Sequence, residues 1–127
     1  MPIALFILRQ RLWRQYRCLG RLLRTMTSQG PLTPGCFYLL KRKCGKPSCR
    51  CARGQLHPVW VLTRSQSGKH KLYPVAPQHR AQVRRWAAAW RRYQRARARL
   101  VQQTATLVSS ADQIAERQRV AWPPADL

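Results

Sequence analysis

The chain has 127 residues, room for one domain, and its 45% hydrophobic content is that of a folded protein rather than a disordered one. It carries 25 Lys and Arg against 3 Asp and Glu, a net charge of +22. No carboxylate side chain precedes Asp112, which excludes an acidic metal cluster over most of the chain and leaves the cations without internal partners.

In chain order, residues 3–28 read as a helix. Leu5, Leu8, Leu12, Leu19, Leu22 and Met26 recur every three, four or seven positions, with Arg9, Arg11, Arg14, Arg17, Arg21 and Arg24 over the remaining surface. The opening apolar run, Ile3 to Leu8, is broken by Arg9 and Arg11 and is too short for a secretory core. No stretch has the length of a membrane span. Gly30-Pro31 ends the helix and Pro34-Gly35 makes a turn.

Residues 36–43 read as a strand that finishes in Lys41, Arg42 and Lys43. Residues 44–57, dense in Cys, Gly and Pro, read as a loop. The β-branched and aromatic run 59–64 is a second strand, Ser65 to Gly68 a hairpin turn, and Lys69 to Val75 the return. Pro77 suits the first turn of a long second helix reaching about residue 115. Its apolar series is Val83, Trp86, Trp90, Tyr93, Leu100, Leu107, Ala111 and Ile114, with Arg97 and Thr104 as polar members, a heptad-like seam. At about 1.5 Å per residue such a helix spans roughly 58 Å, longer than a compact domain of this size needs, so part of it is expected to project or to pair with another helix. The expected class is α+β: an N-terminal basic helix (1–29), a three-stranded antiparallel sheet with a Cys-rich knuckle (30–76), a long Arg-rich, coiled-coil-like helix (77–116) and a tail (117–127), one domain overall.

The knuckle has the spacing C-x4-C-x-C-x5-H through Cys44, Cys49, Cys51 and His57. Three thiolates and an imidazole match a closed structural zinc site in ligand type and number, and thiolates this close repel unless a cation neutralises them. Cys36, His70 and His79 are alternative fourth ligands. The competing reading is a set of reduced, packed thiols or a redox pair. Five cysteines, an odd number with three of them inside eight residues, and no secretory core suggest a reducing, cytoplasmic setting.

The cations supply the second candidate site. Eight arginines lie between Arg80 and Arg99, interleaved with Trp86, Trp90 and Tyr93. Arginine donates two parallel hydrogen bonds to phosphate, whereas the aromatics fall on the seam and read as core before they read as base-stacking platforms. The nucleic-acid-binding candidates are Lys41, Arg42, Lys43, Lys46, Arg50 and Arg53 around the knuckle, with Arg84, Arg85, Arg91, Arg92, Arg95 and Arg99 on the long helix. The competing reading of these is a solvated face.

The run Gly30-Pro31-Leu32, Pro34-Gly35, Cys44-Gly45-Lys46-Pro47-x-Cys49-Arg50-Cys51, Gly54, Leu56-His57-Pro58 and Gly68-Lys69, followed by a Trp/Arg/Tyr-rich helix, resembles a family of short, uncharacterised bacterial proteins often found near transposases and other mobile-element genes. The resemblance covers about residues 25–110. It implies a fold and a genomic setting but no activity. That family tends to carry serine where Cys36 stands, which speaks against Cys36 as a ligand, and His-Gly-Pro where this chain has His57-Pro58.

The expected function is that of a non-catalytic, nucleic-acid-binding accessory protein. The alternative is a zinc-stabilised coiled-coil module that docks to itself or to a transposase or recombinase through the long helix. An enzyme and a membrane-active helix are disfavoured, the first by the missing carboxylates.

Overall fold

The computed structural model describes residues 3–126. Helix α1 is Leu5–Thr27, strand β1 Cys36–Arg42, strand β2 His57–Gln66, strand β3 Lys69–Pro74 and helix α2 Arg80–Gln118. Single 3₁₀ turns occupy Arg50–Arg53 in the knuckle and Pro77–His79 ahead of α2. The class is therefore α+β as the sequence implies, with the three strands in the order β1-β2-β3, all antiparallel. None of the helices among the described residues is long and apolar enough to cross a membrane.

The chain forms two compact units, and α2 contributes to both. One unit is Gln29–Tyr93: the sheet, the knuckle and the first turns of α2. The hairpin between β2 and β3 turns on Ser67 (φ 52°) and Gly68 (φ 76°), two consecutive left-handed residues that match the twist of the flanking strands. Val61 and Thr63 are buried on one sheet face. On the opposite face Phe37 and Trp60, diagonal neighbours across β1 and β2, stack at 5.0 Å. The Arg84 guanidinium lies 5.1 Å from the Trp60 ring centre and 5.5 Å from that of Phe37. Thr33 donates its backbone N–H to the Trp86 carbonyl at 3.2 Å, and Val75 donates to Trp60 at 2.8 Å. Gly35 has φ 127°, and a β-carbon there would stand 2.3 Å from the Thr63 carbonyl oxygen, so only glycine admits this approach to β2.

The other unit is α1 with α2 from Gln94 onward. The two run antiparallel. Arg117 hydrogen-bonds the Ile3 carbonyl. Leu8 lies beside Gln113, Glu116 and Arg117, and Leu12 beside Leu107 and Ala111. On α1 the covered positions include Leu5, Leu8, Leu12, Gln15, Leu19, Leu22 and Met26, in alternating steps of three and four, with Arg11, Cys18 and Gly20 half-buried beside them.

On α2 the expected seam is half right. Trp86, Tyr93, Leu100, Leu107 and Ile114 are covered, but the alternate positions are Ala89, Ala96, Gln103 and Ser110, each one residue earlier than the expected Trp90, Arg97, Thr104 and Ala111. Trp90 is half-buried all the same, stacked on Tyr93 at 5.5 Å, while Arg97, Thr104 and Ala111 are exposed. Arg97, exposed, avoids the desolvation that a seam position would impose.

Candidate metal centre

β1 ends at Arg42 and β2 begins at His57, and these two residues are register partners. The ladder therefore brings both ends of the 43–56 loop to one place. Cys44 stands two residues beyond Arg42, and His57 is the first residue of β2 rather than the last of the loop, as the sequence suggested. The strand starts early because Pro58 is tolerated there: β3 pairs with β2 only from Val61 onward, so β2 is an edge over its first residues.

Within the loop the 3₁₀ turn Arg50–Arg53 carries Cys51 inward, and Cys51 is the buried cysteine of the group. The Cys44 and Cys51 sulfurs lie 3.4 Å apart, and the Cys49 sulfur lies 3.0 Å from Nε2 of His57. The ligand atoms of Cys44, Cys49, Cys51 and His57 all fall within 4.8 Å of one another. Around one tetrahedral ion, three sulfurs and a nitrogen are separated by about 3.5–3.8 Å, so the observed spacings bracket the geometry such an ion needs. All five cysteines are free thiols, and the four knuckle residues could together hold a metal ion. Cys36, at the far end of β1 opposite Thr63, and His70, opposite Ser65, stand on other parts of the sheet. His79 lies in the turn before α2. None of the three belongs to the cluster.

Backbone amides tune the sulfurs. The Cys51 N–H, and then His57, hold the Cys49 thiol below its usual pKa against an opposing contribution from the Cys51 thiol. The Cys44 N–H, 3.3 Å from the Cys51 sulfur, does the same for Cys51 and outweighs the burial that works against it. At Cys44 the Lys46 N–H lowers the pKa, but the Cys51 thiol, desolvation and Cys49 together outweigh it and leave Cys44 raised. Two of the three sulfurs are thus biased toward the thiolate, the form that binds metal.

The cationic candidates are all exposed. Lys41 and Arg42 end β1, and Arg50 and Arg53 bound the 3₁₀ turn. Arg42 and Lys43 line a cleft of about 510 Å³ with Cys44, His57 and Val59. Lys43 and Lys46 share a smaller one of about 220 Å³. On α2, Arg85, Arg91, Arg95 and Arg99 point to solvent, Arg84 is spent on Phe37 and Trp60, and the Arg92 Nε donates to Oε1 of Gln29 at 3.2 Å. Sequence reasoning missed this use of Arg84; its signal was an arginine one helical turn into a segment that follows an aromatic strand. Among the described residues the one ion pair is Arg119 with Glu116, at 3.1 Å on an exposed surface.

A family model described as a domain of unknown function (DUF6788) matches residues 8–85, which takes in most of α1, the sheet, the knuckle and the start of α2. No curated protein and no solved structure matches the chain.

Proposed function

The chain belongs to the DUF6788 family, and for this member we propose a small, non-catalytic protein that binds nucleic acid through its arginines and lysines and whose sheet is stapled by a structural zinc ion. Zinc is favoured over other metals by a donor set of three sulfurs and one imidazole nitrogen. Such a set completes a tetrahedron, so the ion would hold the loop to the sheet and leave no position for a substrate. Resemblance to proteins encoded near transposases extends the proposal to an accessory role in a mobile element.

The observation that carries the nucleic-acid reading is the charge imbalance: 25 cationic side chains against 3 carboxylates, and one exposed ion pair among the described residues. The phosphate backbone is the polyanion whose spacing and charge density suit scattered arginines, and binding it releases condensed counterions. Phosphate contacts alone carry no base information, so the proposed binding is weakly sequence-selective. The test is fluorescence anisotropy on labelled single- and double-stranded oligonucleotides across a salt series. Submicromolar binding that weakens steeply with salt is expected. Absence of binding at low ionic strength refutes the proposal.

A further inference from the structure

Helix α1 carries two apolar stripes, and α2 covers only one. The second runs through Phe6, Trp13, Tyr16, Gly20 and Leu23, which share one side of the helix at steps of three, four and seven. Phe6 is 61% exposed, Trp13 60%, Tyr16 59% and Leu23 48%. Trp13 and Tyr16 meet edge to face at 5.7 Å. On α2 the matching side presents Val101 and Val108, also more than half exposed. Between the stripes lies a groove of about 440 Å³ lined by Leu12, Trp13, Tyr16, Leu107, Val108 and Ala111, with almost no polar lining. Scattered exposed apolar residues need no explanation, but an exposed aromatic pair, Trp13 with Tyr16, on the wall of an apolar concave groove marks an interaction surface.

The rim says what would fill it. Arg9 and Arg17 stand one helical turn to either side of Trp13, Arg24 one turn beyond Gly20, and Arg97 one turn before Val101; all four are exposed. Asp112, one turn beyond Val108, is the one acid near this edge. A second copy would bring arginines against arginines. A flat anionic membrane would meet the arginines but leave the concave floor unfilled. The ridge of a helix fills a groove between two helices, and carboxylates beside that ridge would reach the arginines. We infer that this groove docks an amphipathic helix of a partner protein whose apolar stripe is flanked by Asp and Glu. This goes beyond the nucleic-acid reading, because the apolar groove has no use for phosphate.

The experiment measures binding of the full chain to a labelled synthetic helix of about three heptads, with Leu at a and d, Glu at e and g and Ala elsewhere. The comparison peptides are a scrambled one of identical composition and one with Lys in place of Glu. The expected result is that the striped acidic helix binds about tenfold or more tighter than the scrambled one, and that Trp13→Gln, at an exposed position, removes that preference. Arg9→Ala and Arg17→Ala are expected to weaken binding a few-fold and to flatten its salt dependence. Equal binding of striped and scrambled peptides overturns the inference, since polyanion attraction alone would then account for it. So does equal binding of the Lys peptide. Sedimentation that shows a dimer abolished by Trp13→Gln would assign the groove to a second copy instead. A Trp13-dependent attachment to vesicles of 30% phosphatidylserine, with no preference for the striped peptide, would assign it to a membrane. Circular dichroism of each variant checks that the helices remain.

Discussion

Nε2 of His57 stands 3.0 Å from the sulfur of Cys49, joining the first residue of β2 to the middle of the loop that precedes it. The contact spans eight residues of chain and has no ladder hydrogen bonds to support it beyond Arg42 and His57. A bound ion would replace this single contact by four bonds that converge from three parts of the loop and the strand.

The first prediction concerns that convergence. In metal-loaded protein, Cys49→Ser or His57→Ala should lower metal content in elemental analysis to below half of wild type. Either should also cost the sheet unit about 2 kcal/mol or more, a fall in melting temperature of roughly 10 °C. The near-ultraviolet signal of Trp60 and Phe37 should report the loss. Far-ultraviolet helicity should largely persist, because α1 and the later part of α2 form their own unit. Chelation of wild type should reproduce the variants. An unchanged melt after chelator treatment refutes a structural ion.

The second prediction separates the thiols in chelator-treated protein. Cys49 is held below the usual thiol pKa by the Cys51 N–H and His57, while Cys44 is raised by Cys51 despite the Lys46 N–H. The thiolate is the reactive form, so the alkylation rate of Cys49 should rise at a lower pH than that of Cys44. The depressed pKa of Cys49 also gives a sign to stability. Its contribution is present above the unfolded-state pKa and is lost as pH falls through the folded one. Mass spectrometry of iodoacetamide-labelled peptides between pH 6 and pH 10 reads the order directly. Rising curves in the reverse order would contradict the assigned hydrogen bonds.

The third prediction tests the stacked cation. Arg84 spans Trp60 and Phe37 at 5.1 and 5.5 Å, a geometry that depends on a planar guanidinium more than on charge. Arg84→Ala should destabilise the sheet unit by about 1 kcal/mol, and Arg84→Lys should recover only part of that. Thermal melts followed by tryptophan emission decide it. Full rescue by lysine would reduce the contact to simple electrostatics.

Much of this architecture was legible in the chain, and the exceptions have physical causes. Leucines at three- and four-residue steps announced α1, and the β-branched run with Ser67-Gly68 announced the β2–β3 hairpin, because each of these patterns has one local solution. The Cys/His cluster that could hold a metal ion was legible too, since Cys44, Cys49, Cys51 and His57 lie within fourteen residues. The choice of His57 over His70 and His79 needed the β1–β2 register. The α2 seam slipped by one residue at alternate positions because Ala89, Ala96 and Ser110 contribute little hydropathy, while Trp90 contributes much. A small side chain leaves little mark on a one-dimensional hydropathy pattern even where it is covered. The second stripe of α1 escaped notice because Arg9 interrupts it between Phe6 and Trp13.

The last prediction distinguishes cations that face solvent from those already engaged. Each cation that neutralises a phosphate contributes about 0.9 to the slope of log affinity against log salt on duplex DNA. Arg42 and Lys43, exposed together on the wall of the knuckle cleft, are placed to contact phosphate. Arg42→Ala and Lys43→Ala should each reduce the slope by about 1 and weaken binding evenly across unrelated sequences. Arg84, bound to two rings, should leave the slope unchanged when replaced by alanine at a temperature where the sheet remains folded. Arg92, which donates to Gln29, should behave like Arg84 if that hydrogen bond persists in the complex, and like Arg42 if phosphate displaces it. The decisive pattern is the contrast between Arg42 and Arg84, two arginines of one unit with equal formal charge. Net charge acting at a distance would lower both slopes alike. Contact with phosphate lowers only the slope of the arginine that is free to reach it.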